Sequence, residues 1–130
     1  MDKLTAEQIR LNAISEKIIG CVFKVSSGLG VGFLEKVYQN ALAYELRKLG
    51  MNVLVEHPIN VLYDRVVVGE YVADLLVENS IILELKVVGQ FDDIHFVQCL
   101  NYLKGTGLKL GLLINFGLPK AVIKRIVNNF

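Results

Sequence analysis

Apolar residues follow two different spacings along the chain, and the change between them falls near residue 50. Before that point they recur every three or four positions, which predicts amphipathic helices. The first helix should run from about Thr5 to Ser26, because Thr5-Ala6-Glu7-Gln8 has the form of a capping box. A second helix should begin near Leu34, after a glycine-rich break, and should end at Gly50.

Between Met51 and Val88 the apolar residues are mostly β-branched or aromatic, which favours strands. We expect three or four antiparallel strands here. The polar groups Tyr63-Asp64-Arg65 and Glu78-Asn79-Ser80 are typical of the turns that would connect them.

The last third of the chain should supply one more helix and two more strands. Asp92 or Asp93 would cap a third helix that continues to Lys104 and stops at Gly105. The stretch from Leu108 to Ile114 is typical of a buried strand. The stretch from Ala121 to Val127 fits both a helix and an edge strand, and its β-branched content slightly favours the strand.

Length and composition indicate one domain, residues 1–130, with a sizeable core. Of the 130 residues 53% are apolar, which is enough for a core without disulfides, and Cys21 and Cys99 are expected as buried free thiols. The chain shows no apolar run of membrane-spanning length, and its first residues lack the layout of a signal peptide. We therefore expect a cytoplasmic protein that does not enter the membrane. Its apolar content would also suit a homodimer.

The net charge of +1 means that any affinity for nucleic acid has to be local. The carboxy-terminal third has several lysines, although scattered lysines usually do no more than solvate a surface.

A hairpin in the strand region carries the candidate chemistry. If residues 78–80 form its loop, Val77 pairs with Ile81 and Asp74 lies opposite Glu84, with their Cβ atoms about 5 Å apart. Strand alternation then places Lys86 on the same face as Glu84. A shift of one residue would separate the three groups.

Charged groups inside such apolar strands need compensation, because burial strips them of their hydration. A divalent ion held by Asp74 and Glu84, with the Leu85 carbonyl nearby, would provide it, and oxygen ligands suit Mg²⁺ or Mn²⁺. Lys86 would then face the attacking water and the phosphate to be cleaved. An ordinary ion pair on a half-exposed sheet explains the same spacing equally well.

Several motifs resemble those of the GxxExxY protein family, a branch of the PD-(D/E)xK nuclease superfamily. The resemblance begins with Gly32-Phe33-Leu34-Glu35-Lys36-Val37-Tyr38 and covers nearly the whole chain. It continues through residues 68–74, Leu83-Glu84-Leu85-Lys86, residues 94–98 and residues 111–117, in that order.

The resemblance implies an α/β fold with a restriction-endonuclease-like core: a central mixed β-sheet flanked by helices, with two N-terminal helices preceding the sheet. It implies that Asp74, Glu84 and Lys86 form the catalytic triad and that Glu35 reaches the same Mg²⁺ or Mn²⁺ site. Gln98 and Tyr102 look like the Q-x3-Y element of exonuclease-like branches of the superfamily.

The accessory residues also have ordinary structural explanations. By its spacing, His95 shares a helical face with Gln98 and Tyr102. Gln98 is a candidate catalytic residue, and Tyr38, His95 and Tyr102 are candidate substrate-binding residues. Tyr38 and Tyr102 are, however, more often amphipathic core residues than phosphate binders. A histidine on a helix face commonly makes one hydrogen bond, and a glutamate in a first turn favours the helix dipole.

The sequence therefore favours a metal-dependent nuclease, acting on DNA more than on RNA. The alternatives are a catalytically inactive module that binds nucleic acid or protein on the same fold, and a structural subunit that dimerises through its apolar surface.

Overall fold

A computed structural model describes residues 3–130, which form three helices and a five-stranded sheet. The elements in chain order are α1 (Ala6–Leu29), α2 (Glu35–Lys48), β1 (Val53–Tyr63), β2 (Val66–Val77), β3 (Ile81–Lys86), α3 (Asp93–Thr106), β4 (Leu110–Asn115) and β5 (Val122–Val127). The predicted order of helices and strands is confirmed, including the strand at the last segment.

Helices α1 and α2 cover one face of the sheet. The predicted capping box begins α1, because Thr5 and Gln8 exchange side-chain to backbone hydrogen bonds. The helix continues to Leu29, three residues past its predicted end. Its buried stripe packs with that of α2 against β2, β3 and β4 and forms the larger hydrophobic core. Burial of this apolar surface is the main stabilising contribution on this side of the sheet.

Helix α3 covers the other face. The side chain of Leu103 is fully buried there, against Ala73, Leu76 and Ile82. The helix passes the predicted stop at Gly105 and ends at Gly107, whose φ of +76° permits the left-handed turn that closes it. Gly105 is instead a helical position against which Val61 packs.

The sheet is mixed, with the strand order β1-β2-β3-β4-β5. β3 and β4 run parallel, because α3 carries the chain back to the other end of the sheet, and the other neighbouring pairs are antiparallel. The turns at residues 63–65 and 78–80 are confirmed, and so is the pairing of Val77 with Ile81. With helices on both faces of the mixed sheet, the predicted fold class is confirmed.

Side-chain alternation reverses within β1 and β2 at Glu56 and Asp74. Leu75 faces the core beneath α1 and α2, whereas Ala73 and Tyr71 belong to the core beneath α3. In an uninterrupted strand these three odd-numbered residues would share a face. Glu56 has a φ of +51°, and neither Glu56 nor Asp74 takes part in the ladder between the two strands. The reversal therefore falls at one of the predicted functional residues.

Both cysteines are buried free thiols, as expected from their apolar surroundings. Among residues 3–130, the helices all fall short of the length and apolar character needed to cross a membrane.

The end of β4 and the residues just after it hold the end of β3 in place. The Asn115 side chain is buried, accepts a hydrogen bond from the Val88 amide (3.1 Å) and donates one to the Val88 carbonyl (2.9 Å). The Gly117 amide donates to the same Asn115 side-chain oxygen at 2.8 Å. This arrangement fixes the backbone two residues beyond Lys86.

We expect Gly117→Ala to lower the free energy of unfolding by at least about 2 kcal/mol. A Cβ at this position would lie 2.6 Å from the Val88 amide nitrogen, and backbone cannot move aside as a flexible side chain can. Urea unfolding would measure the change. Gly69→Ala is the matched control, because a Cβ there meets no atom within 4 Å. Equal stabilities for the two variants would contradict the close packing described here.

Candidate active site where two strands separate

The centre of the site lies where β2 separates from β3. Their ladder ends at the pair Leu75 and Leu83, one residue short of Asp74. At this point an oxygen of the Asp74 carboxylate accepts a hydrogen bond from the Leu85 amide at 2.7 Å. A side chain thus replaces the backbone partner that continued pairing would have provided. The predicted hairpin register is confirmed, but Asp74 joins β3 through its carboxylate and not through a ladder pair with Glu84.

Helix α2 supports Asp74 from one face of the sheet. Glu35 is in its first turn, and Gln39, one turn later, is buried and donates a hydrogen bond to the Asp74 carbonyl (3.0 Å). Lys36 and Glu56 form an ion pair at 2.7 Å, which ties the start of the helix to β1. Sequence reasoning missed Gln39, although it lies four positions after Glu35 on a helix side that is otherwise apolar.

Helix α3 supplies the opposite wall. A cavity of about 70 Å³ lies between this helix and the sheet. It is lined by Glu84 and Lys86 from β3, by Tyr71 and Val72 from β2, by His95, Gln98, Cys99 and Tyr102 from α3, and by Leu113 from β4. The structure thus brings three predicted residues of α3 together with two of the predicted triad. His95 also accepts a hydrogen bond through Nδ1 from the Asp92 amide (3.1 Å), which closes the helix cap.

Tyr71 is a second residue that sequence reasoning missed. Its ring stacks on that of Tyr102, with centroids 3.4 Å apart and planes 12° from parallel. Strict alternation along β2 would place Tyr71 on the face opposite Asp74, beneath α1 and α2. The reversal at Asp74 turns it towards α3, and no signal in the sequence indicated this.

Tyr38 does not join the other predicted residues. Its side chain is fully buried and stacks on Phe116, with centroids 4.8 Å apart. Its hydroxyl donates to the Gly30 carbonyl at 2.6 Å and accepts from the Phe33 amide at 3.4 Å. Tyr38 therefore holds the loop that leads into α2 and offers no surface to a substrate, which corrects its assignment as a substrate-binding residue.

The carboxyl groups are electrostatically coupled. Burial, with a smaller effect of the Asp74 charge, raises the pKa of Glu84 to about 8. Burial also raises the pKa of Asp74, although the Leu85 amide and Lys86 oppose the shift. The pKa of Glu35 is raised by burial and by Asp74, and Lys86 acts against both. Lys86 is thus the common counter-charge of three carboxyl groups, and one positive charge cannot balance all of them.

A match to a protein-family model is consistent with this arrangement of residues. The model of the PD-(D/E)XK nuclease superfamily matches residues 12–126, from within α1 to β5. The chain belongs to the PD-(D/E)XK nuclease superfamily. Comparison with curated proteins and with solved structures finds no further match.

Members of the PD-(D/E)XK superfamily typically use Mg²⁺ or Mn²⁺. Within residues 3–130, no three His, Cys, Asp or Glu side chains are grouped closely enough to form a metal cluster. The donor chemistry nevertheless fits such an ion. Glu84 Oε1 is buried without a hydrogen-bond partner among the described residues, and Asp74 beside it offers further carboxylate oxygen. An uncompensated buried acceptor next to a second acid is an environment that favours a cation.

Proposed function

We propose that this protein is a metal-dependent nuclease of the GxxExxY branch, which hydrolyses phosphodiester bonds in DNA in preference to RNA. The observation that carries the proposal is the meeting of Asp74, Glu84 and Lys86 where β2 and β3 separate, with Glu35 electrostatically coupled to them. An ordinary surface ion pair does not account for three carboxyl groups with raised pKa values around one lysine.

Each residue has a proposed role. Asp74 and Glu84, with the Leu85 carbonyl and with Glu35 from α2, would hold Mg²⁺ or Mn²⁺. The ion would supply positive charge that stabilises the transition state and acidifies water. Lys86 lines the cavity. There it would face the phosphate to be cleaved, and its ammonium group would offset the negative charge that develops on the phosphate oxygens.

Gln98 and His95 line the same cavity from α3, at its polar wall. Their amide and ring nitrogens are suited to contact phosphate oxygens or the attacking water, and Tyr102 supports the wall through its stack with Tyr71. In the overall reaction, the water oxygen forms a bond to phosphorus and the bond from phosphorus to one nucleoside oxygen breaks. The water gives its hydroxyl to the phosphate and its proton to the leaving oxygen, by way of solvent.

The proposal is tested by incubating purified protein with labelled single-stranded, double-stranded and branched DNA and with RNA. We expect cleavage in Mg²⁺ or Mn²⁺, none in EDTA, and faster cleavage of DNA than of RNA. A parallel preparation of Glu84→Ala reveals contaminating nucleases. Absence of cleavage by folded protein on all substrates would favour the inactive binding module. The homodimer stays a separate prediction, which a concentration-dependent mass measurement would address.

A further inference from the structure

Two buried side-chain oxygens have no hydrogen-bond partner among the described residues: the Tyr71 hydroxyl and Glu84 Oε1. Both side chains line the same cavity between α3 and the sheet. A buried polar atom without a partner costs about 1 to 3 kcal/mol. Two such atoms at one small cavity indicate that a third group completes their hydrogen bonds.

The size and the charge of the cavity restrict what that group can be. Its volume of about 70 Å³ has room for about two water molecules, each of which takes about 30 Å³ in the liquid. An apolar occupant would leave both oxygens unsatisfied. Without a bound metal, an anion would be repelled by Glu84 and by the neighbouring Asp74, whose charges already act on each other. A cation could satisfy Glu84 Oε1 but could not accept the hydrogen bond of the Tyr71 hydroxyl. Water is neutral, can donate to a carboxylate and can accept from a hydroxyl.

Tyr71 is held in position to make such a contact. Its ring is fixed by the stack on Tyr102, and the reversal of β2 at Asp74 points the side chain towards α3. Burial, followed by the charge of Glu84, raises the pKa of Tyr71 above its ordinary value. As a neutral phenol, the hydroxyl can donate one hydrogen bond.

We infer that Tyr71 is a further catalytic residue, whose hydroxyl donates a hydrogen bond to the attacking water while Glu84 Oε1 accepts one from it. The inference rests on the proposed nuclease function. With these two contacts made, the second lone pair of the water oxygen stays free to form the bond to phosphorus. As that bond forms, the bond from phosphorus to the leaving nucleoside oxygen breaks, and its electron pair leaves on that oxygen. The water loses one proton to solvent, which in turn protonates the leaving oxygen.

The test is Tyr71→Phe, which keeps the aromatic stack and removes only the hydroxyl. We expect kcat to fall about 10- to 100-fold with KM unchanged within twofold, because the lost contact orients the nucleophile and does not bind the nucleic acid. Tyr63→Phe is the matched control, since Tyr63 is exposed at the far end of the β1–β2 hairpin. Urea unfolding should give Tyr71→Phe and the wild type nearly equal stabilities.

A high-resolution crystal structure supplies a second readout. We expect an ordered water within hydrogen-bond distance of both Tyr71 Oη and Glu84 Oε1 in the wild type, and its loss or displacement in Tyr71→Phe. An active enzyme whose kcat is unchanged by Tyr71→Phe, or a wild-type cavity without this water, would overturn the inference and leave the proposed function standing. A protein that cleaves no substrate would overturn both, and the substrate assay identifies that case separately.

Discussion

Lys86→Ala should lower the single-turnover rate of cleavage at least about 100-fold. Among residues 3–130, Lys86 is the one cation that acts on the pKa values of Glu35, Asp74 and Glu84, and it also lines the cavity and would face the phosphate. Removal of a preorganised positive charge from such a position typically costs two to three orders of magnitude. Quenched-flow measurement of product from a labelled oligonucleotide would give the rate.

The matched control is Lys17→Ala, which removes the same charge from an exposed position on α1. We expect this variant to cleave at the wild-type rate. Circular dichroism establishes whether Lys86→Ala is folded, because loss of the counter-charge leaves three carboxyl groups without compensation. A folded Lys86→Ala protein that retains a tenth or more of the wild-type rate would refute the role given to this residue.

The second large effect concerns how the stability of the metal-free protein depends on pH. Glu84 has a pKa of about 8 in the folded chain, against an ordinary value of 4.5. Because the pKa is higher in the folded chain, folding takes up a proton at pH values between 4.5 and about 8. The free energy of unfolding therefore falls as the pH rises through this range. Between pH 5 and pH 8 the ionisation of Glu84 alone should lower the free energy of unfolding by on the order of 3 kcal/mol. Urea unfolding in EDTA at four pH values would measure the decline.

Glu84→Gln isolates the contribution of this group, because glutamine resembles the protonated acid and does not ionise. We expect the variant to gain stability relative to the wild type as the pH rises from 5 to 8. Glu70→Gln, at an exposed position on β2, should show no such trend. If the free energies of unfolding of wild type and Glu84→Gln differ by a constant amount from pH 5 to pH 8, Glu84 does not titrate as described.

Local signals in the sequence were sufficient for most of the fold. The capping box at Thr5, the turn residues at 78–80 and the helix cap at Asp92 each depend on neighbours only a few positions away. The hairpin register follows from one such turn. Strand alternation placed Lys86 on the same face as Glu84, and the family resemblance added Gln98 to them.

The errors arose where tertiary contacts overruled a regular pattern. Period-two alternation assumes an unbroken strand, and it therefore could not place Tyr71 once Glu56 and Asp74 reversed the faces. Helix α3 continues through Gly105, beside Val61 of β1, and ends only before Gly107. Tyr38 is a core residue because its hydroxyl finds two backbone partners in the preceding loop, a contact that no spacing rule describes.

The order in which the walls of the site occur along the chain has a consequence for biosynthesis. Glu84 and Lys86 lie on β3, which pairs with β2 on one side and with β4 on the other. Helix α3 forms the facing wall of the cavity as far as Tyr102. A nascent chain on the ribosome lacks the ladder partner β4 until residues up to about 115 have left the exit tunnel. The proposed site can therefore close only after the strands and the helix that build it have all emerged.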